Sequence, residues 1–422
     1  MTKSATKKAK NQETTPDAQR TLRLAGFVRQ TLFDFVVEEG MKAFDALLAA
    51  EREELCGPAH RKGERGEPLR WGSTDGRLVM GGRRIVHRRP RVRKEGKEIV
   101  LPTWKQYAEE DPLNERTLEQ VVLGVSTRGY ARSVEQVPEE LGPHGATKSA
   151  VSRRFVGLTE EQLSQWLARD LSQLKIAVVM IDGIEVGDHT VVVALGIDES
   201  AEKHVLGLWQ GATENSTLCT ALLSNLVERG LDSQLGYLFV IDGGKALRKA
   251  IRDVFGKRAL VQRCQEHKRR NVLGHLPERM HASVSKALRD AFRSMSRTTA
   301  KKRLQQLAAG LDDDCPEAAE SIREGLDELL TLKDMKLAPW LERTLSTTNP
   351  IENLNGNIRR ITRNVKRWRD GAMVRRWIGA SVLEAARGFR RLRGHKGMPV
   401  LLAALGRVPE QTTRVDQKTE AA

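Results

Sequence analysis

The chain has 422 residues, and its 71 Lys and Arg residues outnumber its 55 Asp and Glu residues, which gives a formal net charge of +16. This length allows a sizeable core and predicts more than one domain, while the cationic excess favours a polyanionic partner, because neutralising phosphates releases counterions. A ribosomal or membrane-surface role is the plainer interpretation of the charge; the length, and carboxylates placed inside apolar strands, argue against both.

The cysteines and the apolar runs predict the compartment. The four cysteines are widely spaced, so no disulfide framework is implied and a reducing compartment is expected. No apolar run reaches transmembrane length, and the start of the chain lacks the hydrophobic core of a signal peptide. We therefore expect a cytoplasmic protein with no membrane partner.

The N-terminal part is predicted to carry a basic β-hairpin. Residues 1–20 are polar and predict a disordered tail, and residues 21–66 predict a helical segment and a connector. Within residues 67–110, two strand-like runs flank Gly81-Gly82, a pair typical of a two-residue hairpin turn. The basic side chains on and beyond this hairpin are predicted to contact DNA phosphates: Arg83, Arg84, Arg88, Arg89, Arg91 and Arg93.

Residues 111–172 are predicted to be helical. A capped helix start at 146–154 follows a turn with Gly142 and Gly145, as in the second helix of a helix-turn-helix. Plain helical packing is the alternative, since Pro138 interrupts the helix that should precede the turn. If the segment reads DNA, its contacts would come from Lys148, Arg153 and Arg154.

The centre of the chain predicts an α/β core. Residues 173–275 show three consecutive strands and then helices alternating with strands, which predicts an antiparallel meander followed by parallel crossovers. This order is that of a ribonuclease-H-like mixed sheet with helices on both faces. Residues 276–340 predict an all-helical insertion, residues 341–395 the second part of the core, and residues 396–422 a polar tail.

Two aspartates close apolar runs of this predicted core. Asp182 follows the run 176–181, Asp242 follows the run 236–241, and a glycine comes after each. A strand-end Asp-Gly is often a mere turn former. However, carboxylates at the ends of neighbouring strands converge, and oxygen ligands of this kind can hold two divalent cations for phosphoryl transfer.

A third carboxylate, Glu352, lies in the first turn of a predicted helix. Asn349 as N-cap and Pro350 at the first helical position make a capping-box pattern, which a purely structural glutamate would also satisfy. Asn355 and Arg359 share a face with Glu352, next to a predicted buried stripe. That stripe consists of Ile351, Leu354, Ile358, Ile361 and Val365.

Further residues accompany these acids. A basic cluster follows Glu352 and is predicted to contact DNA phosphates. The cluster consists of Arg359, Arg360, Arg363, Lys366 and Arg367. Trp368 and Trp377 are available to stack on bases. The competing carboxylates are Glu185, Asp188 and Glu214.

A Cys-x-x-His pair, Cys264 and His267, is predicted to line the site. A structural zinc would need two more ligands. The possible ones stand at no diagnostic spacing: Cys56, His60, His275 and His281.

Several blocks of the sequence together resemble the mutator-type insertion-sequence transposases of bacteria, within the DDE transposase superfamily. The resemblance covers roughly residues 70–395. Its blocks are Asp182-Gly183, residues 194–198, residues 206–209 with 213–215, Asp242-Gly243, residues 262–267 with Arg270-Asn271, and residues 347–355.

The resemblance implies an enzyme that binds the terminal inverted repeats of its element, cleaves DNA and joins the freed 3′-hydroxyls to target DNA. It also implies Asp182, Asp242 and Glu352 as ligands of two Mg²⁺ ions, which Mn²⁺ could replace, Arg359 as a basic partner, and a homodimer or larger synaptic assembly. Two alternatives remain open. One is a nuclease or junction resolvase that never joins ends, and the other is a catalytically idle DNA-binding repressor derived from a transposase.

Overall fold

The computed structural model describes residues 16–61, 66–80, 83–109, 112–134, 146–211, 213 and 215–407. The chain divides into two compact units, Met1–Phe155 and Val156–Ala422.

The first unit packs a long helix against a small sheet. Its elements are α1 (Pro16–Cys56), β1 (Leu69–Met80), β2 (Arg83–Lys94), β3 (Lys97–Ile99) and α2 (Pro102–Glu109). The strands lie in the order β1-β2-β3, and both pairs are antiparallel. Apolar residues at helical spacing on α1 bury against alternate residues of β1 and β2 and against Trp104. The strands are longer than predicted, and the glycine pair 81–82 lies outside the described residues.

Helix α1 is longer than the sequence predicts. It begins at Pro16, inside the segment predicted to be a disordered tail, because proline suits the first turn of a helix. Helices α3 (Pro112–Val122) and α4 (Tyr130–Ser133) follow α2. The predicted turn of a helix-turn-helix, with Pro138, Gly142 and Gly145, lies outside the described residues.

Helix α5 (Lys148–Ala168) begins where the capping pattern predicts and crosses the boundary between the units. The Thr147 hydroxyl accepts a hydrogen bond from the Ala150 amide at 3.4 Å.

The second unit is built on a mixed sheet that has five strands within the described residues. Its elements are β4 (Ile176–Val186), β5 (His189–Asp198), β6 (Lys203–Gly211), α6 (Ser216–Glu228), β7 (Tyr237–Ile241), α7 (Lys245–Phe255) and β8 (Ala259–Arg263). The strand order is β6-β5-β4-β7-β8. Strands β4, β5 and β6 form an antiparallel meander, whereas β7 pairs parallel with both β4 and β8. The predicted meander and parallel crossovers are confirmed.

Helices cover both faces of this sheet. Successive side chains of a strand point to opposite faces, so each strand supplies two cores. Along β4, Val179 and Ile181 pack with α6 and α7, whereas Val178 and Met180 belong to the other core. That second core is completed by α14 (Asn349–Thr362), α15 (Gly371–Arg387) and α16 (Met398–Ala404).

Residues 265–345 form a helical region. It contains α8 (Gln265–Gly274), α9 (Glu278–Phe292), α10 (Arg297–Ala309), α11 (Pro316–Arg323), α12 (Leu326–Leu329), a 3₁₀ turn (Thr331–Met335) and α13 (Pro339–Leu345). Residues 272–330 share a core of their own, whereas Leu332, Met335, Leu341 and Leu345 pack into the core between the sheet and α14. The region also covers the outer edge of β8, where the Leu332 amide donates to Gln262 Oε1 at 3.1 Å and the Thr331 hydroxyl donates to the Val261 carbonyl at 2.6 Å.

Two C-terminal predictions differ from the structure. Helix α16 lies inside the segment predicted to be a polar tail, because Met398, Leu401 and Leu402 form a buried helical stripe. The buried stripe of α14 ends at Ile361, since the helix stops at Thr362 and leaves Val365 in the following loop. None of the described helices combines the length and the apolar character that crossing a membrane requires.

Candidate active site

The register of the parallel pairs β4–β7 and β7–β8 places three side chains in one row. In the parallel pairs, Met180 lies opposite Val240, and Val240 lies opposite Gln262. Two residues beyond each of these three come Asp182, Asp242 and Cys264, on the same face of the sheet. Because neighbouring strands lie about 4.8 Å apart, register brings these three side chains close together.

The prediction that Asp182 ends its strand is wrong. Strand β4 continues to Val186, because β5 pairs with it as far as Val186 opposite His189. What ends near Asp182 is the parallel pairing of β4 with β7, whose last pair is Met180 and Val240. Asp182 therefore lies at the point where the sheet narrows, on the face that α14 covers.

Asp182 is held by two hydrogen bonds. The Gly183 amide donates to Oδ1 at 3.0 Å, and Asn355 Nδ2 of α14 donates to Oδ2 at 2.7 Å. Burial raises the pKa of the Asp182 carboxyl, and the charge of Asp242 raises it further, although the two hydrogen bonds and His267 oppose the shift. The two aspartates are thus close enough to repel each other.

Asp242 begins a loop that needs glycine. The Gly244 amide donates to Asp242 Oδ1 at 2.9 Å. Gly243 has a φ of +109°, and a Cβ at this position would overlap the guanidinium of Arg263. Arg263 is buried and donates to the Glu324 carbonyl at 3.1 Å, so the loop rests on a side chain that the helical region holds in place.

Cys264 and His267 meet at the start of α8. The buried Cys264 thiol is the N-cap, and its Sγ accepts from the His267 amide at 3.4 Å. Interaction with Cys264 raises the pKa of His267 to about 9, and Glu352 and Asp242 contribute, although burial opposes the shift. Burial acts to raise the pKa of the Cys264 thiol, but the hydrogen bonds from His267 and Thr348 outweigh it and the net shift is downward.

The start of α14 differs from the predicted capping box. The N-cap is Thr348 rather than Asn349, and its side chain does not cap the helix. Its hydroxyl donates instead to Glu352 Oε1 at 2.7 Å, so Glu352 is tied to a side chain and not to the amide of residue 349. Glu352 Oε1 also lies 3.9 Å from His267 Nδ1.

The donor atoms suit a hard divalent cation. Asp182, Asp242 and Glu352 offer carboxylate oxygens, the ligand type that Mg²⁺ and Mn²⁺ prefer. Among the described residues, Asn355 Oδ1 is buried with no hydrogen-bond partner, beside the Asp182 carboxylate. A cation between the aspartates would offset their repulsion and give this oxygen a neighbour to bind. These groups therefore have the ligand chemistry that a divalent cation prefers.

A second donor set contains sulfur. Cys264, His267 and Glu352 present ligand atoms that all lie within 4.8 Å of one another. Two of the histidines considered as additional zinc ligands bond elsewhere: His275 Nδ1 lies 3.2 Å from Glu317, and His281 Nε2 lies 2.9 Å from the Leu276 carbonyl.

The other predicted site residues are spread more widely. Arg359 is exposed, and within the described chain no ion pair joins it to the acidic residues. The remaining basic residues of that cluster are exposed as well: Arg360, Arg363, Lys366 and Arg367. Trp368 is half-buried against Gly187, in the turn between β4 and β5, and part of it packs against the core.

The competing carboxylates stand apart from the row. Glu185 and Asp188 are exposed, and the Glu185 carboxylate accepts from the Thr190 hydroxyl at 2.9 Å. Glu214 lies outside the described residues.

In the first unit, the strand arginines differ in their surroundings. Arg89 and Arg91 both bind the Glu98 carboxylate, at 2.8 Å each, and Arg89 also lies over the Trp104 ring. Arg88 is exposed and donates to Ser73 Oγ at 2.7 Å, whereas Arg93 lies over the Trp71 ring. The side chain of Arg83 lies outside the described residues. On α5, Lys148 and Arg153 are exposed and Arg154 is half-buried.

Sequence reasoning missed two residues of the site. Thr348 contacts three of the predicted site residues, and its only sequence signal is its position just before Asn-Pro. Arg263 supports the Asp242 loop, and its position next to Cys264 at the end of β8 was the available signal.

The mixed sheet and its row of acidic and thiol side chains define an α/β protein with a site suited to divalent cations. The model of the family described as "Transposase, Mutator family" matches residues 12–391. The chain therefore belongs to the Mutator family of transposases, which are DNA-modifying enzymes.

Curated relatives are transposases of insertion sequences. The transposase for IS1081 of Mycobacterium tuberculosis is 26% identical over 397 residues, covering 89% of this chain and 90% of the relative. The transposase for IS6120 of Mycolicibacterium smegmatis is 26% identical over 249 residues, 58% of this chain and 75% of the relative. The transposase for IS256 in Tn4001 of Staphylococcus aureus is 27% identical over 281 residues, covering 63% of this chain and 68% of the relative.

Proposed function

We propose that this protein is the DDE-type transposase of an insertion sequence, which cleaves DNA at the ends of its element and joins the freed 3′-hydroxyls to target DNA. Asp182, Asp242 and Glu352 would hold two Mg²⁺ ions, or Mn²⁺ in their place. The observation that carries the proposal is the strand register, which aligns the two aspartates on the face where α14 brings Asn355 against Asp182. The mixed sheet with helices on both faces supports a ribonuclease-H-like core.

Each residue of the proposed site has a distinct role. Bound cations would activate the attacking hydroxyl and stabilise the leaving oxygen. The negative charges of Asp182 and Asp242 would attract the divalent cations, and Asn355 fixes the orientation of the Asp182 carboxylate. Gly243, after Asp242, adopts a conformation that few other residues tolerate, with the Arg263 guanidinium packed against it.

DNA binding is assigned to the basic surfaces. The arginines of β2, the start of α5 and the exposed loop after α14 supply cations for the phosphates of double-stranded DNA, namely the terminal inverted repeats and the target. We propose a homodimer or a larger assembly, in which two element ends would be brought together.

Substitution of each acid tests the metal assignment. Asp182→Asn, Asp242→Asn and Glu352→Gln should each abolish cleavage of a DNA fragment that carries the element end, because each removes a charged ligand. DNA binding, measured by gel shift without metal, should survive. Glu185→Gln is the matched control, since this exposed acid lies on the same strand as Asp182 and should be dispensable. Loss of DNA binding in all three variants, or equal loss of cleavage in the control, would contradict the assignment.

Joining is tested separately from cleavage. With pre-cleaved ends that carry a free 3′-hydroxyl, the unchanged protein should insert them into plasmid DNA in the presence of Mg²⁺. Products that are nicked but never joined would support the nuclease alternative. Absence of both reactions, with DNA binding intact, would support the repressor.

A further inference from the structure

The hydroxyl of Thr348 lies at the centre of the sulfur-containing donor set. Thr348 is completely buried. Its Oγ1 lies 2.7 Å from Glu352 Oε1, 3.3 Å from His267 Nδ1 and 3.3 Å from Cys264 Sγ. Its backbone amide also donates to Cys264 Sγ at 3.4 Å. Three side chains that could be taken for metal ligands thus converge on a hydroxyl oxygen.

These distances are those of hydrogen bonds. Zinc binds sulfur at about 2.3 Å and nitrogen or oxygen at about 2.0–2.2 Å, and an ion at the centre would have to displace the Thr348 hydroxyl. A hydroxyl has one proton to donate and two lone pairs with which to accept. The shortest contact is with the Glu352 carboxylate, the strongest acceptor of the three, so the proton belongs on that bond.

We propose that Thr348 is a positioning residue, whose hydroxyl accepts from His267 and donates to Glu352 so that the carboxylate of Glu352 is held for metal binding with the aspartates. The inference rests on the proposed function, because it assumes that Glu352 is a metal ligand. Cys264 fixes the backbone of Thr348 by accepting from its amide, and His267 supplies the second contact to the hydroxyl. The Cys-x-x-His pair then acts through Thr348 rather than as a zinc site.

The backbone supports this role. The amides of Ile351 and Glu352 both donate to the Thr348 carbonyl, at 3.0 Å and 2.9 Å, so Thr348 and Glu352 are connected through the main chain as well. On the other side, Gln265, the first residue of α8, donates from its amide to the Ser346 carbonyl at 2.9 Å. The start of α8 is therefore joined to the segment just before α14 at Ser346 and, through Cys264 Sγ, at Thr348 itself.

The test is Mn²⁺ binding by the full-length chain, measured by isothermal titration calorimetry and by the electron paramagnetic resonance signal of free Mn²⁺. Thr348→Val keeps the shape of the side chain and removes the hydroxyl, and we expect it to weaken Mn²⁺ binding by about tenfold, the usual effect of removing a group that orients a metal ligand. Thr348→Ser retains the hydroxyl and should bind Mn²⁺ like the unchanged protein.

Thr362→Val is the matched control. This threonine is also buried in α14, but its hydroxyl donates to the backbone carbonyls of Ile358, at 2.9 Å, and Arg359, at 3.4 Å, and within the described part of the chain it has no hydrogen bond to Cys264, His267 or Glu352. Its Mn²⁺ affinity should be unchanged. In DNA cleavage, Thr348→Val should need about tenfold more Mn²⁺ for half of its maximal rate, while the rate at saturating Mn²⁺ recovers. If Thr348→Val does not fold, as judged by thermal unfolding in EDTA, Thr348→Ala takes its place.

Glu352→Gln distinguishes a failure of the proposed metal-ligand set from a failure of the positioning role of Thr348. If Glu352→Gln binds Mn²⁺ as tightly as the unchanged protein, the proposed ligand set fails, and the role of Thr348 fails with it. If Glu352→Gln weakens binding and Thr348→Val does not, the proposed function stands and the positioning role is overturned. Equal weakening in Thr348→Ser or in Thr362→Val would show a packing effect and would also overturn it.

Discussion

Asp182 occupies a strand face that is otherwise apolar. Its neighbours along that face, Met180 and Ile184, are fully buried, so the sheet exposes the carboxylate to a poorly solvated environment. Asn355 and the Gly183 amide stabilise the charge in part. Burial and Asp242 nevertheless raise its pKa, which means that ionisation of this carboxyl destabilises the metal-free fold.

Asp182→Asn should therefore stabilise the metal-free protein. A carboxyl whose pKa is raised on folding costs stability above that raised pKa, and the penalty vanishes as the pH falls below the ordinary value of 3.8. The Asn355 amide can rotate, because its Oδ1 has no hydrogen-bond partner among the described residues and can accept from the new amide. The thermal unfolding temperature in EDTA should be higher than that of the unchanged protein at pH 8.

The advantage of Asp182→Asn should shrink as the pH falls from the raised pKa of Asp182 towards 3.8. Asp188→Asn, which changes an exposed acid in the next turn, should behave like the unchanged protein throughout. A lower unfolding temperature for Asp182→Asn at pH 8 would show that the hydrogen bonds of the carboxylate outweigh its burial and the repulsion.

Gly243→Ala should destabilise the fold. A positive φ costs a residue with a side chain about 1–3 kcal/mol, and the added methyl group would also overlap Arg263. Urea denaturation should show a loss of about 2 kcal/mol or more in the free energy of unfolding. Gly274→Ala, at the end of α8 with open space around it, is the control and should lose nothing. Equal stability of the two variants would refute this account of the Gly243 loop.

The positions of the proposed site residues follow from local sequence patterns, whereas their hydrogen-bond partners do not. Asp182 and Asp242 were predictable because each follows an apolar run, and Glu352 because Asn-Pro marks a helix start. The hydrogen bonds between Thr348 and Cys264 and between Asn355 and Asp182 join residues far apart in the chain, and no local pattern specifies them. The length of β4 was underestimated because the pairing partner β5 decides where it ends.

Among the elements, the helical region and the sheet are joined by buried cations. Arg263 at the end of β8 and Lys268 in α8 are both buried, and both bind the Glu324 carboxylate just after α11, at 3.5 Å and 3.3 Å. Lys268 also donates to the Ser321 carbonyl at 2.6 Å. Because Cys264 and His267 lie between these two cations in sequence, the position of α11 helps to determine the position of the site.

Glu324→Gln should weaken this connection. The neutral amide leaves two buried cations with a poorer acceptor, and since Glu324 itself is half-exposed we expect a loss of about 1 kcal/mol in the free energy of unfolding. Glu320→Gln, an exposed acid on the same helix, is the control. Urea denaturation that finds the two variants equally stable would show that the carboxylate is dispensable.

The elements of the second unit were largely predictable, because their apolar runs are long and are separated by clear turns. The βββαβαβ order and the all-helical character of residues 276–340 are confirmed. Helix α8 was not predicted, since its sequence is highly charged and lacks an apolar stripe; tertiary contacts at Cys264 and Lys268 fix it instead. Helix α16 was missed because its short apolar stripe adjoins a polar segment.

In the whole molecule, which has a net charge of +16, some basic side chains are exposed to solvent and others are already paired with acidic side chains. Arg89 and Arg91 share an intramolecular carboxylate, and their hydrogen bonds and charges lower the pKa of Glu98. The basic residues of the loop after α14 are exposed. Counting basic residues in the sequence therefore overestimates how many of them reach phosphates.

Arg83→Ala with Arg84→Ala should lower DNA affinity and flatten its salt dependence. Removing one phosphate-binding cation reduces the slope of the logarithm of the binding constant against the logarithm of salt concentration by about one. Arg89→Ala with Arg91→Ala should change the slope less, because these arginines already neutralise Glu98. Fluorescence anisotropy at several KCl concentrations measures both, and an unchanged slope for the first pair would exclude it from the interface.

The ribosome adds Asp182 and Asp242 to the chain well before Glu352. A polypeptide that stops before α14 contains Asp182 and Asp242 but lacks Glu352, Asn355 and Thr348. We expect such a fragment, from interrupted translation or from proteolysis, to be unable to cut DNA even if it still binds it. Under the proposed function, only protein molecules that include α14 would then break DNA.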